Sequence, residues 1–275
     1  MVVTKAAVRK LFPARKPWSH KGDHGRLLVV GGSKLYTGAP GLVALAALKT
    51  GVDLVTVFAP KRAADIVASL SPDLITFPAR GDFLNSWHLG DALRLAAKAD
   101  AVVIGNGLGD RRETAIFIEQ FLEKADRPCV IDADAIRVAA KRPLRADAVL
   151  TPHAAEFVAL TGDRPPEHEK DRLSLAQAAA SRFACTVLLK GHVDVIASPE
   201  RTATNRTGNP FMTVGGTGDV LAGICGGLLA QGAEPFAAAS AAAWICGAAG
   251  DQAARRLGVS LRAADVIGAI HEVLA

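Results

Sequence analysis

"RLLVVGGSKLYTGAPGLVALAALKT", from Arg26 to Thr50 and followed at Leu54 by "LVTVFA", is the stretch whose reading decides the fold. A near-continuous apolar run suits a strand covered on both faces. Two glycines then turn the chain, an Ala/Leu-rich segment of helical length carries it back, and a second apolar run begins. Strand, helix and strand in that order make the crossover unit of a parallel sheet. The rhythm continues. "AVVIGN" from Ala101, "PCVIDAD" from Pro128, "AVLTP" from Ala148 and "TVLLKG" from Thr186 read as strands, followed by "DVIAS" from Asp194 and "TATNRT" from Thr202. Between them, "ETAIFIEQFLEK" from Glu113 and "SLAQAAASRF" from Ser174 read as helices. After Thr207 the strands stop and three apolar helical segments finish the chain. The expected class is α/β, a central, mostly parallel β-sheet flanked by α-helices on both faces.

The bulk numbers agree. The chain has 275 residues, 50% hydrophobic and 21% charged, enough for a large core. No repeat, low-complexity tract or long linker divides it, so residues 1–275 read as a single domain with residues 1–21 a basic N-terminal arm. The net charge of +5 is spread thinly rather than gathered into a stripe, which argues against nucleic acid. Cys129, Cys185, Cys225 and Cys246 lie far apart in apolar surroundings and read as buried free thiols of a reducing compartment. "MVVTKAAVRK" lacks the apolar core of a signal peptide, and "PFAAASAAAWICGAAG", from Pro235, is too short and too rich in small residues to span a membrane. A soluble cytoplasmic protein is expected, and its Ala-rich helical surface suits a homo-oligomer, up to a tetramer.

In open parallel sheets, ligands gather at the carboxyl ends of the strands. There the chain carries "GGS", "GNGLG", "DAD", "TPHAAE" and "KGHVD". Five polar or glycine-rich strand ends on one edge are hard to assign to turns alone. A further stretch, "GNPFMTVGGTGDVLAGICGGLLAQ" from Gly208 to Gln231, opens a long apolar helix with three glycines and one carboxylate. Unpaired N–H groups at a helix start attract anions, and Gly215, Gly216 and Gly218 let a phosphate approach them. Asp219, in the first turn, stands where it can take a proton from a hydroxyl. An acid that merely complements the helix dipole is the competing reading, but it leaves the glycines and the thread of Asn209, Pro210 and Met212 unexplained.

The other motifs divide between two readings each. "GNGLG", Gly105 to Gly109, misses the dinucleotide fingerprint because its third glycine comes one residue early. It is a bed for a substrate or a plain strand-to-helix turn. "TPHAAEF" sets His153 and Glu156 three apart, for ligand and magnesium-bound water or for a helix cap with Thr151 before Pro152. Lys190 and Gly191 follow a strand, facing a nucleotide phosphate or forming a surface turn. Asp132 and Asp134 bind ligand or magnesium, or cap the next helix. No histidine pair has zinc spacing in a supportive cluster.

Together, "GGSKLYTGAPGLVALAALKTG", "VVIGNGLG", "VIDADAI", "TPHAAEF", "LLKG" and the Gly208–Gln231 stretch resemble the NAD(P)H-hydrate dehydratases, carbohydrate-kinase-like domains also found fused behind an epimerase domain. The resemblance runs from about Gly22 to the end. It implies a ribokinase-like fold and a repair reaction in which the S-epimer of hydrated NADH or NADPH is dehydrated at the expense of ADP or ATP with Mg²⁺. Asp219 matches the family's base, and Gly216, Thr217 and Gly218 its anion hole. Ala39, Gly107, His153 and Asp219 match positions that hold the hydrated dinucleotide. Lys190, Gly191, His192, Val193, Asp194, Asn209 and Gly218 are implied at the adenine nucleotide, and Glu156 at the metal through water. The chain departs from the family at Ala154 and Ala155, where proline and glycine are usual. Asp194 replaces a hydroxyl, and Asp53 replaces a common glycine. Without an epimerase half, action on one epimer is expected. A small-alcohol kinase of the hydroxyethylthiazole type and a non-catalytic nucleotide-binding protein are the alternatives.

Overall fold

Every strand read from the sequence is present in the computed structural model, which describes residues 1–141 and 143–275. The strands are β1 (Arg26–Val30), β2 (Leu54–Pro60), β3 (Ile75–Ala79), β4 (Ala101–Ile104), β5 (Cys129–Ile131), β6 (Ala148–Leu150), β7 (Thr186–Leu189), β8 (Asp194–Ala197) and β9 (Thr202–Asn205). They form one sheet in the order β3-β2-β1-β4-β5-β6-β7-β8-β9. Neighbours from β3 to β7 are parallel, and β8 and β9 close the far edge antiparallel. Sequence reading missed β3 alone. That strand lies at the sheet edge, carries Pro78 and buries only Ala79 fully, and a proline within a short run counts against a strand reading.

The helices are α1 (Lys5–Arg9), α2 (Ala39–Lys49), α3 (Lys61–Ala68), α4 (Leu89–Ala96), α5 (Arg112–Lys124) and α6 (Asp134–Ala139). Then follow α7 (Ala154–Thr161), α8 (Glu169–Phe183), α9 (Thr217–Ala230), α10 (Pro235–Leu257) and α11 (Ala263–Leu274). Side chains alternate across each strand. On β1, Leu27 and Val29 join the core under α2, α9, α10 and α11, whereas Leu28 and Val30 join the core under α5 to α8. Both faces of the sheet are therefore dry, which is why the central strands read as unbroken apolar runs.

Close packing explains the glycines of α9. A Cβ on Gly223 would strike the backbone oxygen of Val43 in α2, and one on Gly226 would strike the Val103 side chain of β4. These glycines let the helix lie directly on its neighbours, offsetting their helix-propensity cost of about 1 kcal/mol each. The alanines of α10 are likewise mostly buried inside the chain, so they do not supply the Ala-rich surface expected for assembly. No helix of the described residues is long and apolar enough to cross a membrane.

The N-terminal arm is tied at two places. Val2 bridges to Thr204 of β9, with Val8 buried nearby in sequence, and Arg15 pairs with Asp53. Asp53 also accepts the N–H groups of Gly22 and His24 at 2.9 and 3.0 Å. Burial opposes its charge, but those bonds and Arg15 outweigh it and hold its carboxyl below the usual range. The departure from glycine at this position thus anchors the arm. All four cysteines are free and buried, as expected, and burial pushes Cys185 and Cys246 up to about 12.

Candidate active site

Because β1, β4, β5, β6 and β7 are parallel neighbours, the motifs that follow them share one edge of the sheet. The start of α9 faces that edge. Gly216, its N-cap, has φ +95°, and a Cβ there would collide with Leu42 and crowd Ala263. No chain atom among the described residues accepts the N–H of Thr217, Gly218 or Asp219. The Thr217 hydroxyl turns away, donating to the carbonyls of Met212 and Val214 at 3.0 and 3.2 Å and folding the upstream loop back. Three bare amides at the positive end of a helix are left to an anion.

Asp219 stands beside them, half-buried. Burial pushes its carboxyl up to about 6, the Asn106 amide opposes that rise, and the Asp132 charge adds to it. Lys190 pulls the other way. Its ammonium lies 3.2 Å from Asp132 Oδ1 and 3.7 Å from Glu156 Oε2. Burial disfavours the charge on Lys190, but these two carboxylates outweigh it and raise its pKa above the ordinary lysine value. Asp132 is also held by the Thr151 hydroxyl, which donates to Oδ1 at 2.7 Å. Thr151 is therefore a carboxylate anchor. The cap of α7 is His153, whose Nδ1 accepts the N–H groups of Ala155 and Glu156 at 3.1 and 3.2 Å, and Glu156 returns the favour to the His153 N–H at 2.8 Å. With Nδ1 an acceptor, Nε2 is the ring nitrogen left to donate, and it lies 3.4 Å from Glu156 Oε1. Ala154 and Ala155 are ordinary first-turn residues, and the loop keeps its cap without the proline and glycine usual there.

A cavity of about 680 Å³ adjoins this cluster. His153, Lys190, Gly191, His192, Asp194, Asn209, Thr217 and Gly218 all line it. Val193, in the same turn, lies outside the lining. Asp194 lines the cavity with its carboxylate already engaged. Its oxygens accept the Gly191 N–H and the Asn205 amide, both at 3.0 Å, and burial raises its carboxyl's pKa. Asn209 is similarly occupied, donating to Asp251 at 2.8 Å and accepting from the Phe211 N–H at 3.1 Å, so it offers the cavity shape rather than a free amide. On the other side of Asp219, Gly107 meets Ala39 and Tyr36 so closely that a Cβ would touch both. Ala39 and Gly107 thus come together, whereas His153 belongs with Lys190 on the cavity side.

Two residues escaped the sequence reading. Asn106, fully buried, donates its amide to Asp132 Oδ2 at 2.9 Å and to Asp219 Oδ1 at 2.7 Å. Its only signal was its place between the glycines of "GNGLG". Tyr36 was hidden in an unassigned loop. Asp134, expected as a helix cap or a ligand, instead accepts the Gly109 N–H at 2.7 Å and fastens the glycine loop to α6. Among the described residues, no three His, Cys, Asp or Glu side chains gather as a metal cage. A second cavity of about 450 Å³ opens at the opposite ends of β5 and β6, where Arg145 pairs with Asp126 and Asp147.

Known proteins match this arrangement. A family model described as NAD(P)H-hydrate dehydratase matches residues 27–272. The chain is 39% identical to the ADP-dependent (S)-NAD(P)H-hydrate dehydratase of Nitrosopumilus maritimus, over 99% of this chain and 96% of that one. It is 43% identical to the bifunctional NAD(P)H-hydrate repair enzyme Nnr of Pyrobaculum aerophilum, over 94% of this chain but 52% of that one, so it spans about half the length of such bifunctional relatives. Among solved structures, the Bacillus subtilis ADP/ATP-dependent NAD(P)H-hydrate dehydratase, co-crystallized with ATP/Mg²⁺, superposes with a TM-score of 0.84 at 28% identity, covering 99% of this chain and 96% of that one. The likeness carries the ribokinase-like fold expected from the sequence. The open amides of α9, the acid beside them and a family match over nearly the whole length agree, and the chain belongs to the NAD(P)H-hydrate dehydratase family.

Proposed function

We propose that this chain repairs nicotinamide nucleotides, dehydrating the S-epimer of hydrated NADH or NADPH at the expense of ADP or ATP. The observation that carries the reading is Asp219 standing next to three backbone amides that no chain atom occupies among the described residues. Asp219 takes the proton of the ring hydroxyl as that oxygen bonds to the terminal phosphorus of the nucleotide. The bond from phosphorus to the nucleotide's bridging oxygen breaks, releasing AMP from ADP or ADP from ATP. Negative charge on the moving phosphoryl group falls on the N–H groups of Thr217, Gly218 and Asp219, which need no reorganisation to receive it. Phosphate is a far better leaving group than hydroxide. The lone pair of the ring nitrogen expels it, and loss of a ring proton restores the dihydronicotinamide.

Ala39, Gly107 and Asp219 hold the hydrated dinucleotide on one side of the phosphoryl path. Lys190 to Asp194, Asn209 and Gly218 form the nucleotide side, and His153, which matches a position for the hydrated dinucleotide, lines the same cavity. Mg²⁺ neutralises nucleotide phosphates when bound, and such an ion keeps most of its waters and needs few carboxylates. The site fits that mode rather than a cage: with Glu156 Oε2 taken by the His153 N–H and Oε1 3.4 Å from His153 Nε2, Glu156 would reach such an ion only through water. Free cysteines suit a cytoplasmic location. Exposed Leu35, Trp87 and Val259 offer apolar surface for a homo-oligomer, up to a tetramer.

The test is recovery of NADH absorbance from hydrated NADH by purified protein with magnesium and ADP or ATP. Recovery with either nucleotide supports the proposal, and none with both sinks it. Build-up of a stable phosphorylated alcohol would select the small-alcohol kinase, which the family match disfavours.

A further inference from the structure

Asn106 is a neutral residue wedged between two acids. Its loop is pinned by the Gly32 N–H, which donates to the Asn106 carbonyl at 2.8 Å, and by Gly105, where any Cβ would collide with the Asp132 carbonyl. The two hydrogens of Nδ2 go one to Asp132 and one to Asp219. The carboxylates dictate that orientation, because turning Oδ1 toward either would set acceptor against acceptor. As a result Oδ1 is buried with no partner. An orphaned acceptor is unfavourable and calls for a reason.

We infer that Asn106 is the positioning residue of the site: it suspends Asp219 from the frame formed by Asp132, Thr151 and Lys190, and keeps the Asp219 carboxylate ionised and aimed. Asp219 Oδ1 is committed to this bond. Oδ2, on the Gly216 side, accepts no hydrogen bond among the described residues and is the oxygen left for a substrate proton. Asp132 and Asp134 face Asp219 from β5 and the start of α6, and Lys190 from the end of β7. Against Gly216, the nearest neighbours from other elements are the apolar Leu42 and Ala263. Burial and the acids disfavour ionisation, so the Asn106 amide and Lys190 are the groups that sustain it. The inference deepens the dehydratase reading and takes from it only the identity of the hydroxyl.

The experiment follows the Asp219 carboxyl by NMR in protein carrying ¹³C-labelled aspartate, its resonance assigned by loss in Asp219→Asn. In Asn106→Ala the titration midpoint is expected at higher pH than in the native protein. In Asn106→Ser, whose hydroxyl can donate to one carboxylate only, it lies between. Turnover of hydrated NADPH is expected to fall about 10- to 100-fold in Asn106→Ala, with the nucleotide KM changed less than about twofold. An unmoved midpoint in a folded variant overturns the inference, as does failure of both variants to fold, which would make Asn106 a structural residue. A native protein that titrates as expected yet regenerates no NADH sinks the dehydratase reading and leaves this one standing.

Discussion

Asp219 is held in a form that costs the fold something. Its carboxyl, raised to about 6, titrates well above the unfolded value near 3.8. Between these values the folded state binds more protons than the unfolded one, so stability falls as pH rises from about 4 to about 6 and stays reduced above that. Asp219→Asn removes the charge and is expected to raise the melting temperature at pH 8, with the gain vanishing below about pH 4. Thermal unfolding across pH checks this, and equal midpoints at pH 8 would contradict it. The same variant should lower turnover by about 10²–10⁴-fold while leaving nucleotide affinity nearly unchanged, as expected for loss of a general base. In the native enzyme, kcat/KM should fall as pH drops through about 6, because only the ionised carboxylate accepts the proton.

Among the elements, α9 carries two demands at once: its first turn must be bare and its body must lie flush on α2 and β4. Gly223→Ala improves helix propensity by about 1 kcal/mol but drives a methyl group into Val43, and a net loss of about 1–3 kcal/mol is expected. Gly268, exposed in α11 with no atom within 4 Å of a built Cβ, provides the control. Gly268→Ala should stabilise by about 0.5–1 kcal/mol. Urea unfolding of both variants reads the difference, and the same sign for both would rule out close packing as the reason for the α9 glycines. The element pattern itself was legible because strands buried on both faces leave unbroken apolar runs. The exception, β3, is an edge strand whose proline is allowed by its position, where one side of the strand needs no ladder partner.

At the scale of the molecule, the nucleotide-side cavity and the α9 helix start are built from chain segments far apart: the turn after β7, the Gly208–Thr217 loop and α10. A ligand that joins them should stabilise the whole fold by mass action, by about 2.7 kcal/mol at a hundred times its Kd. ADP with magnesium should therefore raise the melting temperature, and Lys190→Met should remove most of that rise. A native protein whose melting temperature ignores both ADP and ATP would place the nucleotide elsewhere or nowhere.

The order of strands and helices, the shared carboxyl edge and the candidate base were all written in the sequence, because apolar period, glycine and strand-end chemistry are local signals. The strand-end motifs offered Lys190, His153 and Glu156 with two readings each, and the family resemblance favoured the ligand reading. What only the folded chain decided was how these groups meet. Asn106 carried no readable pattern, yet it lies between Asp132 and Asp219, which follow it by 26 and 113 residues of chain. Asp194 and Asn209 read as ligand contacts and proved to be engaged by Asn205, Gly191, Phe211 and Asp251. A residue's type limits which hydrogen bonds it can make, but its partners are chosen by packing between distant segments, and no local pattern encodes that choice.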